Sequence, residues 1–297
     1  MTSLLLWVIY TQVKGQLSQV SISTVLRDGD LTYFFIALLL LPLNLTIEIY
    51  KWKLLVASAQ PISFGVAVRS FLAGLSLSLL TPNRIGEYPG RILFLQQKNT
   101  PRLISVTLLG MYSQLLSLLI FGIVGLMFYY SIYPGYWQKV VLIIALIVSL
   151  LAVIVFLNFE KWSRYIERIS FLKKFKTYSR MLKRFSTRQQ LVILGLSLLR
   201  FVVYASQYLL LMLWMHIEMD WIAGFGMACM FFFSMAIVPS IALAEMGIRG
   251  QLSLLFFQHF TTNKIGILVA TIVLWVINLI LPAIAGSILW IKLRWIK

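Results

Sequence analysis

Hydrophobic positions in this chain fall into long unbroken runs separated by short polar breaks, and that rhythm predicts its elements. Residues 31–57, 102–130, 139–158, 191–215 and 264–291 are each apolar over a length able to cross a bilayer. A hydrocarbon core of ~30 Å takes ~20 helical residues. A shorter apolar run at 2–16 predicts one further helix, and Pro282 predicts a kink in the last span. Two regions, 64–99 and 221–260, are apolar but interrupted midway by Pro, Gly and charged residues. Broken backbone at membrane depth is tolerated only where protein or a water-filled cavity surrounds it, so both regions read as re-entrant pairs of half-helices. The expected fold is an all-α polytopic membrane protein.

The two breaks echo each other. The first is Thr81-Pro82-Asn83-Arg84-Ile85-Gly86-Glu87-Tyr88-Pro89-Gly90-Arg91, and the second is Pro239-Ser240-Ile241-Ala242-Leu243-Ala244-Glu245-Met246-Gly247-Ile248-Arg249. In each, a proline precedes a glutamate and an arginine follows that glutamate by four residues. The offset of 158 positions between the pairs divides the chain into related halves, 1–131 and 139–297. Charge supplies the orientation. Segment 160–190 carries ten Lys and Arg against Glu160 and Glu167, with Trp162, Ile166, Ile169, Leu172, Tyr178, Met181 and Phe185 at helical spacing. That pattern predicts basic amphipathic helices on the cytoplasmic leaflet. With this segment inside and both broken regions re-entrant, seventeen Lys/Arg lie inside, four outside and five at membrane depth. This bias obeys the positive-inside rule and puts both termini in the cytoplasm. It brings the first hairpin in from the cytoplasm and the second from outside, so the halves form an inverted repeat, an architecture common in secondary transporters.

Composition narrows the class. The chain is 60% hydrophobic and 12% charged, where soluble domains hold roughly 25% charged residues. A net charge of +17 would suggest nucleic acid in a soluble protein; here it fits an anionic membrane surface and no nucleic acid. Met1-Thr2-Ser3 lacks the basic region of a cleavable signal. Asp28-Gly29-Asp30 reads as a turn rather than an acidic metal motif. Cys229 is the one cysteine and reads as buried packing. His216 and His259 fall near membrane boundaries. Neither a metal site, nor a cofactor loop, nor an activated nucleophile is suggested, so no catalytic residue, metal or cofactor is expected.

The candidate chemistry therefore lies in charges at membrane depth, which are costly there and usually mark a site. Arg84, Glu87 and Arg91 come from the first break, Glu245 and Arg249 from the second, and Arg69 and Arg200 from flanking spans. Arg84 lacks an acid four residues away and is the strongest candidate for a ligand contact. Pro89 suits the first turn of a helix starting near Tyr88, and Arg249 is expected at the start of another after Gly247. The pairs Glu87–Arg91 and Glu245–Arg249 either hold the broken helices or face a ligand, and the spacing serves both. Glu48, about a turn from the interfacial anchor Lys51-Trp52-Lys53, reads either as a locally paired interfacial carboxylate or as a functional acid.

Thr81-Pro82-Asn83-Arg84-Ile85-Gly86-Glu87 with Arg91, the pair Lys51-Trp52, and Pro239-Ser240 with Gly247-Ile248-Arg249 resemble the lysylphosphatidylglycerol synthase transmembrane-region family. This is the flippase-type domain of multiple-peptide-resistance factors, which also occurs alone. The family often has Glu directly after the Gly-x-Arg arginine; this chain has Gly250 there, with Glu245 on the other side. The resemblance implies lipid translocation rather than lysyl transfer. The expected function is a flippase-like transporter of an anionic phospholipid or lipid-linked intermediate in the cell (inner) membrane. The alternatives are an intramembrane lipid-modifying transferase and a non-catalytic membrane subunit of a separately encoded enzyme. A homo-oligomer or a partner membrane enzyme is compatible with each.

Overall fold

The computed structural model of the chain describes residues 30–79, 86–93, 100–158, 185–238 and 242–295, with Thr81, Leu95 and Lys161. The expected helix at 2–16, residues 82–85 with Arg84, most of the basic segment, and residues 239–241 lie outside the described residues. So does the side chain of Glu245.

Every regular element among the described residues is helical. The order is α1 (Leu31–Ala57), α2 (Phe64–Ser78), α3 (Glu87–Leu93), α4 (Thr100–Ile132), α5 (Tyr136–Leu157), α6 (Thr187–Trp214), α7 (Trp221–Ile237), α8 (Ala242–Phe257), α9 (Lys264–Trp275), a π-helical turn (Val276–Ile280) and α10 (Leu281–Trp295). Five helices are long and apolar enough to cross a membrane: α1, α4, α5, α6, and the α9–α10 rod over Lys264–Ile288.

Polar residues at the breaks start these helices by accepting hydrogen bonds from their first free N–H groups. Asp30 caps α1, accepting from Thr32 N at 2.9 Å. Ser63 caps α2, Asp220 caps α7 and Asn263 caps α9. Ser186 and Gln189 form a reciprocal capping box at the start of α6. At the other end of α6, His216 takes a left-handed φ of 55°. Its N–H bonds Leu213 O and that of Ile217 bonds Met212 O, which closes the helix without a glycine.

Two expectations are corrected. The last span is not simply kinked at Pro282: a π-helical turn ends just before it. A proline removes one backbone donor and crowds the carbonyl four residues earlier, and widening the preceding turn relieves that crowding. Nor does a helix start after Gly247. α8 begins at Ala242, so Gly247 and Arg249 lie within it, and no described glycine has a positive φ.

α1 and α6 run antiparallel through the centre. Asp30 N donates to Trp214 O at one end, Gln207 Nε2 donates to Ala37 O further along, and Lys51 reaches Ser197 toward the other end. α2 packs on α3 and α10, while α7 packs on α8 and α4. Two large apolar cores result, beside a small cluster of Leu126, Ala145 and Phe233. One surrounds Tyr208, Phe231 and Phe257 near the α1 start, and the other surrounds Trp52, Phe71 and Leu103 near the α1 end. α5 packs on α4 and exposes Ile143, Ile147, Leu150 and Ile154, a face suited to lipid.

Candidate functional site

Asn44, Glu48 and Lys51 stand at i, i+4 and i+7 on α1, which puts them on one face of an otherwise apolar helix. That face turns inward, and all three are buried. Burying charge is expensive unless it is paired and hydrogen-bonded, and the surrounding helices supply the partners. Glu48 Oε2 meets Lys51 Nζ at 2.8 Å and Arg200 Nη1 of α6 at 3.0 Å. Its Oε1 meets Arg91 Nη2 of α3 at 3.2 Å. One carboxylate thus joins three cations from three helices. Lys51 completes its three donors with Gln114 Oε1 and Ser197 Oγ, both at 3.2 Å.

Arg91 is fixed on every side. Glu87, one turn earlier on α3, pairs with the same Nη2. The guanidinium carbon lies 5.1 Å from the Trp52 ring centre and 4.8 Å from that of Phe71. Ser70 Oγ donates to Arg91 O at 2.6 Å and accepts from Trp52 Nε1 at 3.0 Å. This closeness needs glycines: a Cβ on Gly74 would lie 2.5 Å from Glu87 O, and one on Gly90 would lie 2.8 Å from Gly74 Cα.

From Arg200 a polar chain continues along the bundle. Arg200 Nε donates to Asn44 Oδ1 at 3.1 Å. Asn44 Nδ2 donates to Asn278 Oδ1 at 2.7 Å, and Asn278 Nδ2 donates to Gln207 Oε1 at 2.9 Å. Asn278 belongs to the π-helical turn, whose altered register helps bring the amide into this chain.

This network floors a cavity of about 680 Å³. Lys51, Arg91, Arg200 and Arg249 line it against Glu48 and Glu87, an excess of two positive charges among the described residues. Trp52, Phe201, Tyr204, Phe232 and Trp275 form its aromatic wall. Met111 of α4, Ile237 at the end of α7 and the adjacent Val238 both line the cavity and stand exposed, which marks its mouth as apolar.

Glu87, Arg91, Arg200 and Arg249 therefore line one cavity. Arg69 does not: it is exposed on α2 and lines no part of the cavity. Arg200 neutralises Glu48, not Glu87. Of the two readings of Glu48, local pairing with Lys51 is present, while its interfacial placement and the reading of Lys51 as an interfacial anchor are corrected: both are buried at the network's centre. Gln114, Asn278 and Tyr204 were not singled out from sequence. The one available signal was the Asn44, Glu48, Lys51 stripe at helical spacing within an apolar run.

A bundle of apolar helices around a cation-rich, aromatic-walled cavity defines a multi-pass membrane protein with an internal polar cavity. The chain belongs to the family of the lysylphosphatidylglycerol synthase transmembrane region, whose profile spans residues 2–286. No individually curated protein matches it.

Proposed function

We propose that the protein is a flippase-like transporter that moves an anionic phospholipid, or a lipid-linked intermediate, between leaflets without making or breaking a bond. The observation that carries this reading is the cavity's combination of excess positive charge, aromatic walls and an apolar mouth. Opposite unit charges about 4 Å apart attract by about 4 kcal/mol at an effective dielectric near 20. A phosphate in the cavity would gain such attraction from Arg200 and Arg249 while its acyl chains stay in the bilayer past Met111 and Ile237. Arg84 belongs to the proposal through its place in the break between α2 and α3.

An inverted repeat of re-entrant hairpins in the cell (inner) membrane, with both termini cytoplasmic, completes the reading. The arms α2, α7 and α8 have 15, 17 and 16 residues, and α3 has only seven. At ~1.5 Å per residue all are shorter than a ~30 Å core. Packing also exchanges in matching pairs. Gly125 of α4 sits against the backbone of Met230 on α7, and Gly286 of α10 sits against the backbone of Leu72 on α2. Leu72 and Met230 differ by 158 positions, the offset that also separates Glu87 from Glu245.

Reconstitution tests the function. Purified protein in liposomes is expected to accelerate leaflet exchange of a fluorescent anionic phospholipid, and Arg200→Ala to lower the rate at least about tenfold. Glu48 keeps Lys51 and Arg91 in that variant, so the fold has the means to survive. Failure to accelerate exchange of any anionic lipid overturns the transport reading, and conversion of a labelled lipid to a new species supports a transferase in its place.

A further inference from the structure

The two carboxylates at the cavity are held very differently. The Glu48 side chain is 7% exposed, and cations from α1, α3 and α6 occupy both its oxygens. Removing its charge strands Lys51 and Arg200, neither of which pairs with another described acid. Glu87 stands at the edge of the same network, with its side chain 17% exposed and lining the cavity. Its Oε1 accepts from Arg91 Nη2, and its Oε2 has no partner among the described residues.

The network can therefore spare the charge of Glu87 but not that of Glu48. With a proton on Glu87 Oε2, the remaining Oε1 still accepts from Arg91. Arg91 also keeps Glu48 Oε1 at 3.2 Å and its places over Trp52 and Phe71. The groups that share the cavity with Glu87 are Arg91 on its own helix, Glu48 and Lys51 on α1, Arg200 and Tyr204 on α6, and Arg249 on α8. Among the described residues, α2, α4, α7, α9 and the π-helical turn bring only uncharged side chains to it. A proton on Glu87 thus leaves four cations facing Glu48 alone, and the positive excess rises from two to three. An anion in the cavity gains from that change. By linkage, the anion strengthens the hold on the proton by the same factor.

We infer that Glu87 is a proton-binding site coupled to the cavity's anion: an anionic lipid and a proton on Glu87 Oε2 are bound together and released together. Glu48 is the fixed acid that gathers the cations, and Glu87 is the titrating acid that sets their surplus. This inference rests on the lipid-binding part of the proposed function and adds the coupling ion to it.

The test reads protons and lipid separately. The 297-residue chain in mild detergent is titrated with short-chain phosphatidylglycerol, whose phosphodiester stays ionised throughout, from about pH 8 to about pH 4.5. The lipid-dependent rise in unfolding temperature reports binding at each pH. Lowering the pH discharges Glu87, so the lipid is expected to bind at least about fivefold more tightly at the acid end. Glu87→Gln holds the discharged state and should bind tightly at both ends, although His216 and His259 are still present to titrate. A pH-indicator dye in weak buffer supplies a readout on the unaltered protein. Adding lipid should take up roughly half a proton per lipid bound where the affinity changes most steeply. Affinity that ignores pH, lipid binding without proton uptake, or a pH dependence retained by Glu87→Gln overturns the inference. Binding at neither pH overturns the lipid-binding reading along with it. In liposomes, pH-linked binding without leaflet exchange overturns the flippase reading and sustains the proton site.

Discussion

The two broken regions share a Glu-x-x-x-Arg spacing but are built differently. In the first, α2 and α3 approach until glycine meets glycine, and Arg91 is held between two carboxylates and two aromatic rings. In the second, α7 is wedged by aromatics: Phe231 and Phe232 pack on Tyr208, and Phe232 also packs on Phe201. Its last turn then turns apolar residues toward the cavity mouth. Arg249 enters the cavity from the middle of a continuous α8 rather than from a tightly packed helix start. The first region spends its charge on internal closure, and the second shapes an apolar wall. A shared motif thus fixes where charge enters the bundle, while the packing of the arms decides what that charge does.

The sharpest way to break this comparison is to remove the carboxylate that ties the first region to the bundle. Glu48→Ala leaves Lys51, Arg91 and Arg200 clustered with Glu87 the one carboxylate near them among the described residues. Stranding buried charge costs about 3–5 kcal/mol, so a large loss of thermal stability and of folded yield in detergent is expected. Glu48→Gln keeps the shape and should lose nearly as much, because shape is not what Glu48 supplies. A Glu48→Ala protein with unchanged unfolding temperature would remove the internal-closure role from the first region.

A smaller effect is expected where the arms touch. A Cβ on Gly90 would meet Gly74 Cα at 2.8 Å and Ala73 O at 3.0 Å, so backbone must move to admit it. Overpacking of this kind costs about 1–3 kcal/mol. Gly90→Ala should therefore lower the unfolding temperature and loosen Arg91 from Glu48, weakening anionic-lipid binding in the same sample. Stability and lipid affinity unaffected by Gly90→Ala would show that close approach is not what holds the first region.

What could be read from sequence follows the range of the forces. A run of ~20 apolar residues has one solution in a bilayer, so the five long helices emerge within a few residues of expectation, α1 at its observed bounds. The cations at the cavity were visible for a similar reason, since charge in an apolar run rarely lacks purpose. Partnership was not visible. Lys51 is three residues from Glu48 and suggested a local interfacial pair, but Arg91 and Arg200 arrive from 43 and 152 positions away. Only the packed bundle shows that one acid serves three bases. The π-helical turn was hidden likewise, because Pro282 signals a disturbance without saying how the preceding turn absorbs it.

Glycine was the residue most open to misreading, and it yields the smallest and most discriminating prediction. Gly90 and Gly247 both sit beside motif arginines and look alike as helix breakers. A Cβ at Gly247, unlike one at Gly90, meets nothing within 4 Å, and the residue lies exposed inside α8 with an ordinary right-handed φ. Ala is favoured over Gly in an exposed helix by roughly 0.5–1 kcal/mol, because it has less freedom to lose on folding. Gly247→Ala should therefore leave lipid binding unchanged and raise the unfolding temperature slightly, opposite in sign to Gly90→Ala. Destabilisation by Gly247→Ala would mean that the second region needs a flexible break after all, and would bring the two regions back to one design.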